Sequence, residues 1–282
     1  MASQWHLIVD VARGDTCRLC SLAVKDEYVG TDFPGYTAAQ PAEGHHWLDI
    51  VRKERGTYPI VQARFLPVTC NHCDNAPCMA AARDGAVRKR PDGIVIIDPE
   101  KAKGQRQIVD PCPYGAIHWN EERQLPQAWP FDAHLLDEGW TRTRPEQACP
   151  HGVFRTIRAE ADEMARLRDA EGLEVLRPEL GTRPRVYYKN LHVFTKCFVG
   201  GTVVHHVGGV EECASGATVV LQHDGREVGR ATTDTFGEFV IDGLEPNSGR
   251  HRLLVSGPSG RCQADVDVGA DSCYVGVLTL AD

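Results

Sequence analysis

The sequence predicts an α+β protein in two parts, a loop-rich part over residues 1–190 and an antiparallel β-sandwich over residues 191–282. Three observations predict it. The 282 residues, 42% apolar and 25% charged, give room for two domains with real cores. The first part gathers closely spaced cysteines among short segments broken by Pro and Gly. From about Leu191 the texture changes to short β-rich runs. In order, Gly93–Gly104 (GIVIIDPEKAKG) predicts a short buried strand running into a turn and a brief helix. Arg158–Glu171 carries helix formers without a breaker and is expected to be a surface helix stopped by Gly172. Leu176–Asn190 is punctuated by Pro and reads as an ordered linker. Beyond it the runs HVFTKCFVGGTVVHH, GATVVLQHDGREVGRATTD, GEFVIDGL, RHRLLVSG and DVDVGADSCYVGVLTL predict about seven strands. HDGR (His223–Arg226), set between alternating segments, is a hairpin signal.

The chemistry lies in the cysteines. Cys70, Cys73 and Cys78 stand in the run CNHCDNAPC, and Cys112 follows in the tripeptide PCP. Three thiolates on one tight turn can hold three corners of a metal cluster, and a distant fourth closes the site. A proline after the last ligand is a bacterial ferredoxin habit, so this part is expected to be a ferredoxin-like iron–sulfur domain with a 4Fe-4S cluster. Four thiolates also suit structural zinc, the alternative, although such sites more often pair two C-x-x-C knuckles. Cys17, Cys20 and Cys149, the last in ACPHG, repeat the pattern with one near ligand missing. Gly14 stands where a leading cysteine would complete it, and the adjacent Asp15 offers an oxygen. This degenerate set either holds a second, incomplete cluster or packs as plain thiols. Cys197, Cys213, Cys262 and Cys273 are spaced as buried free thiols, with a Cys262–Cys273 link as the alternative. His45–His46 and His205–His206 are adjacent pairs, and strand neighbours face opposite ways, so neither pair is expected to converge on one ion.

No apolar run approaches a membrane span, and the start MASQWHLIVDVARGD has neither a signal-peptide pattern nor a twin arginine. A cytoplasmic chain is expected, unless a partner carries an export signal for both. The net charge of −8 argues against nucleic acid. Eleven cysteines in such a chain read as ligands before disulfides. No nucleophile–base or carboxylate constellation has a recognisable spacing, so no active site is expected here.

Seven segments carry a resemblance: DFPGYTAAQ (Asp32–Gln40), RKERGTYP (Arg52–Pro59), CNHCDNAPC, DGIVIIDPEKAKG (Asp92–Gly104), CPYGAIHWNEE (Cys112–Glu122), AHLLDEGW (Ala133–Trp140) and GLEVLRPELGTRPRVYYKNL (Gly172–Leu191). Together they resemble the small iron–sulfur subunit of pyrogallol–phloroglucinol transhydroxylase, with that of resorcinol hydroxylase a second member of the type. ATTDTFGEFVIDGL (Ala231–Leu244) extends the likeness into a sandwich of transthyretin (prealbumin) type. The resemblance implies a heterodimer with a large catalytic subunit of the dimethyl sulfoxide reductase superfamily, which carries molybdenum bis-molybdopterin guanine dinucleotide. Where that family has further thiolates this chain has Gly14, which belongs to the degenerate set, and Val24, Trp129, Asp132 and Pro145, which are all the ligands of one expected cluster, so that site should be empty. Ala82 and Ile108 remove another that larger relatives possess. The surviving cluster is therefore expected to be more structural than electron-relaying, which suits hydroxyl transfer between phenols. The alternatives are an electron-transfer subunit of a net hydroxylase such as resorcinol hydroxylase, and a zinc or metal-free scaffold. Tyr36, Trp47 and Tyr58, within Tyr28–Pro59, are candidate anchors for the large subunit, with packing in this chain's own core as the alternative.

Overall fold

The computed structural model describes residues 3–281. The chain forms two compact units. The first takes Phe65–Leu191 and the chain up to Val51; the second takes Arg52–Arg64 and the chain from His192 onward. The change of unit at residue 191 sits where the sequence texture changes, but the excursion at 52–64 has no counterpart in the sequence pattern.

The first unit runs β1 (Gln4–Asp10), α1 (Leu19–Tyr28), the ends of the hairpin β2 (Leu48–Thr57) and β3 (Ile60–Thr69), α2 (Pro77–Ala81), β4 (Val87–Lys89), β5 (Val95–Ile97), β6 (His118–Asn120), β7 (Leu125–Gln127), α3 (Ala133–Asp137), α4 (Arg144–Ala148), β8 (Phe154–Ala159), α5 (Ala161–Glu171) and β9 (Val186–Lys189). β1 is the middle strand of three, antiparallel to β8 and parallel to β9. Its run WHLIV is buried throughout, as a strand covered on both faces should be. α5 begins three residues later than Arg158 because Trp5 pairs with Arg158 across the sheet, so strand pairing overrides helix propensity there. It ends as expected at Gly172, in the left-handed region at φ 61. After β5 the expected brief helix is absent. Asp98 instead accepts the backbone N–H groups of Glu100 and Lys101, each at 3.1 Å, and the segment folds as consecutive turns.

His6 of β1 is buried, and burial, aided by the Arg185 guanidinium, lowers its pKa from 6.5 to about 4. The unfolded chain therefore binds a proton that the folded chain refuses between those values. Stability contributed by the neutral imidazole is intact above pH 6.5 and lost as pH falls toward 4, by roughly 3 kcal/mol at most. His6→Gln is expected to flatten the acid limb of urea midpoint against pH in this window. A limb unchanged by the substitution would assign the acid sensitivity elsewhere.

The second unit is built from α6 (His192–Thr195), β10 (Cys197–Val207), β11 (Val210–Cys213), β12 (Thr218–His223), β13 (Arg226–Thr232), β14 (Glu238–Leu244), β15 (Gly249–Gly257), β16 (Gly260–Val268) and β17 (Cys273–Thr279), with the tip of the β2–β3 hairpin. β10 pairs with β11, β14 and β17 in one four-stranded sheet, and β13-β12-β15-β16 form the other. Val199, Val203, Phe239 and Ile241 from the first and Val219, Leu221, Leu253 and Val255 from the second share one core. The HDGR turn is a two-residue hairpin with Asp224 and Gly225 both at positive φ, and His223 pairs with Arg226. One feature departs from the expected antiparallel sandwich. β17 lies parallel to β10, with Val199 opposite Cys273, because β17 reaches this sheet from β16 in the other sheet and no hairpin fixes its direction. All four cysteines of this unit are free. Cys197 is buried and Cys262 and Cys273 are half-buried, but Cys213 is exposed, against expectation, because β11 is exposed along its length. His205 is partly covered and His206 exposed, as alternation along β10 requires.

Candidate metal centre

Four thiols meet where a loop and a turn converge. β3 ends at Thr69, whose hydroxyl donates to the Trp47 carbonyl at 2.8 Å. The chain then turns at His72, at φ 46, and enters α2 at Pro77. A proline at the first helical position is tolerated because that N–H lacks an intrahelical partner anyway. It places Cys78 in the first turn. Cys112 comes from a separate turn, its N–H donating to Val109 and its carbonyl accepting from Gly115, both at 3.2 Å. Cys70, Cys73, Cys78 and Cys112 line one enclosed cavity together with Val95, Pro77 and Ile117. Ala82 and Ile108, expected to delete a further site, pack into the apolar core around this cavity.

Behind the loop lies the segment whose prolines mark it, in sequence, as a linker. Asp74 and Asn75 donate through their N–H groups to the carbonyls of Arg183 and Thr182, each at 3.0 Å, and the Arg185 N–H donates to Asn71 at 2.8 Å. GTRPR is thus a backing strip for the cysteine loop. Its side chains add to it: Arg185 and Lys89 each reach Asp74 at 2.7 Å. Lys89 also donates to the carbonyls of His72 and Cys73 at 2.9 and 2.8 Å. Lys89 therefore stands beside the Cys73 thiol, which would ionise on binding metal, and Arg185 braces the loop through Asp74; both were missed in the sequence because their contacts are long-range. The Thr182 hydroxyl bonds Cys73 and sits 2.6 Å from the Tyr114 hydroxyl.

Burial raises the thiol pKa values, to about 11 at Cys73 and about 12 at Cys78, and well above the ordinary value at Cys70, where the nearby Cys78 adds to it. Protonated thiols cannot ligate metal, so these groups lose their protons only when metal takes their place. His72, between two of the cysteines, is buried and held neutral, its pKa lowered to about 3 chiefly by burial. Its Nδ1 accepts from the Val95 N–H at 3.1 Å, so it braces the loop.

Cys17, Cys20 and Cys149 also approach one another across the packed pair α1 and α4. Burial first, then the neighbouring Cys149 and Cys17 among other groups, shifts Cys20, leaving it at about 12. Cys17 is exposed, and Cys149 accepts from the Val153 N–H at 3.4 Å. His151 lies 3.4 Å from Asp15 beside them. Three thiols are present and no fourth cysteine is near in sequence. Of the expected partner anchors, Trp47 is buried within the first unit, ring to ring with Tyr28 at 5.1 Å, and so is no surface anchor. Tyr36 is half-buried and bonded to Asp137 at 2.6 Å, and Tyr58 is 90% exposed.

Residues 61–158 match the family model described as a 4Fe-4S dicluster domain. The chain is 46% identical over 245 residues to the pyrogallol hydroxytransferase small subunit of Pelobacter acidigallici, covering 86% of this chain and 87% of that one. It is 29% identical over 133 residues to the arsenate respiratory reductase iron-sulfur subunit of Shewanella sp. (strain ANA-3), covering 47% and 52%. It is 32% identical over 154 residues to the dimethylsulfide dehydrogenase subunit beta of Rhodovulum sulfidophilum, covering 53% and 46%. The match thus spans about half of each of the latter two.

Proposed function

The chain belongs to the family of small iron–sulfur subunits that includes the pyrogallol hydroxytransferase small subunit, and on that premise we propose that it is the non-catalytic partner of a large molybdopterin subunit that hydroxylates or transhydroxylates phenolic aromatics. The observation that carries this reading is the convergence of Cys70, Cys73, Cys78 and Cys112 on one enclosed, apolar cavity. Four thiols, the adjacent Lys89 and apolar walls fit a 4Fe-4S cluster, which binds as a net anion through four thiolates. Cys17, Cys20 and Cys149 are the second, incomplete set. The molybdenum cofactor and the active site belong to the large subunit.

The cluster's role on this reading is mainly structural. It ties the 70–78 loop to the Cys112 turn as a closed metal site does. Hydroxyl transfer between two phenols moves no net electrons, so it tolerates a small subunit that is not a wire. This reading takes the subunit as cytoplasmic; separately, among the described residues no helix is long and apolar enough to cross a membrane.

The test is a count of iron, acid-labile sulfide, zinc and molybdenum in the complex purified without oxygen, with EPR of the reduced sample. About four irons per small subunit are expected. Zinc in their place overturns the cluster reading. Reduction of the cluster within one turnover, seen by rapid-freeze EPR, overturns the structural role in favour of a relay.

A further inference from the structure

Two four-iron clusters call for eight thiolates, yet the segment matched to a dicluster domain holds five cysteines, Cys70, Cys73, Cys78, Cys112 and Cys149. Four of them line the cavity already described, and Cys149 stands at the end of α4. The rest of that segment does not fit a second cluster. Between α1, the turn at 129–132 and α4 lies a buried carboxylate instead. Asp132 is fully buried and sits at φ 52. One of its oxygens accepts from the Tyr28 hydroxyl at 2.7 Å and the Trp129 indole N–H at 2.8 Å; the other accepts from the Arg144 backbone N–H at 2.7 Å. Burying a carboxylate is costly unless donors surround it, and three do. Glu27 closes the outer side, 2.9 Å from His134 and 3.0 Å from Arg144. Val24, one turn before Tyr28 on the same helix, and Pro145, next to Arg144, are buried too. None of these side chains is a thiolate, and valine, indole and pyrrolidine offer iron no ligand.

We propose that the Tyr28–Trp129–Asp132–Arg144 knot is a metal-free staple that does by hydrogen bonds the joining a second cluster would otherwise do, holding α1, the 129–132 turn and α4 together. It rests on the reading that the first cluster occupies the Cys70 set. The dicluster region then carries one complete cluster, and a hydrogen-bonded indole and carboxylate join the 129–132 turn to α1 and α4.

The complex is purified without oxygen as wild type, Asp132→Asn and Tyr28→Phe, and each is assayed for iron and for thermal midpoint. The expected result is about four irons in all three, with midpoints lowered by roughly 5–10 °C in Asp132→Asn and less in Tyr28→Phe. If Asp132→Asn fails to fold, Tyr28→Phe decides, since it deletes one donor and leaves the carboxylate. About eight irons in the wild type that stay at about eight in Cys20→Ala overturn the proposal, since the incomplete Cys17, Cys20 and Cys149 set is then not what holds the second cluster. Unchanged midpoints in both variants also overturn it. Absence of iron from the wild type refutes the first cluster instead, and the midpoints still judge the staple.

Discussion

Cys112→Ala is expected to cost the small subunit its complete cluster and to lower its thermal midpoint by about 10 °C. Metal-binding free energy at a closed thiolate site is folding free energy, on the order of 10 kcal/mol for structural sites. Losing a third of that moves the midpoint of a domain of 150–250 residues by about 10 °C. Cys112 is the informative choice because it alone comes from outside the 70–78 loop. Without it the loop keeps three ligands, and the 109–115 turn loses its tie to that loop. Iron should fall from about four to three or fewer, with the EPR signal altered or gone. Cys213→Ser is the control, since that thiol is exposed on β11 and should change neither quantity. Full iron with an unaltered signal in Cys112→Ala would remove Cys112 from the ligand set.

The gathering of Cys70, Cys73, Cys78 and Cys112 was legible because ligand spacing is a local property that a turn must satisfy. The HDGR hairpin was legible for the same reason, since two positive φ angles ask for Asp-Gly. What surrounds the thiols was not legible. Lys89, Thr182 and Arg185 reach the loop through contacts across roughly 15 to 115 residues, and no periodicity encodes a long-range pairing. The 176–190 segment looked like a linker because Pro and Gly mark irregular backbone. They do not say whether that backbone is solvated or, as here, bonded to a cysteine loop. At Arg158 a helix-forming run was taken by β8, tertiary pairing overriding propensity. Trp47 shows what an aromatic in a Gly/Pro-rich segment leaves open, surface anchor or core: its contact with Tyr28 puts it in the core.

Arg55 ties residues 52–64 to the sandwich, and removing it should be the largest single-side-chain effect on that unit. Arg55 is 1% exposed. Its guanidinium donates to the Val193 carbonyl at 2.8 Å and grips both oxygens of Asp242. It also lies over the Phe198 ring, 5.2 Å from its centroid. Next to it Gly56, at φ +84, has no room for a side chain, since an added Cβ would fall 2.5 Å from that ring. Arg55→Ala would leave a partly buried carboxylate, a buried carbonyl and a ring face without their partner. The loss should be about 3 kcal/mol, because the buried Val193 carbonyl and the Phe198 ring lose their partner together with a partly exposed carboxylate. For a unit of about a hundred residues that lowers the midpoint by 10 °C or more. Arg55→Lys should recover little, since an ammonium cannot bind a carboxylate through two parallel bonds and a carbonyl at once. Iron should stay at the wild-type count, because every proposed cluster ligand lies in the other unit. That separates this loss from that of Cys112→Ala, where iron and stability fall together. A midpoint unmoved in Arg55→Ala would mean that the hairpin adds nothing to the sandwich it packs against.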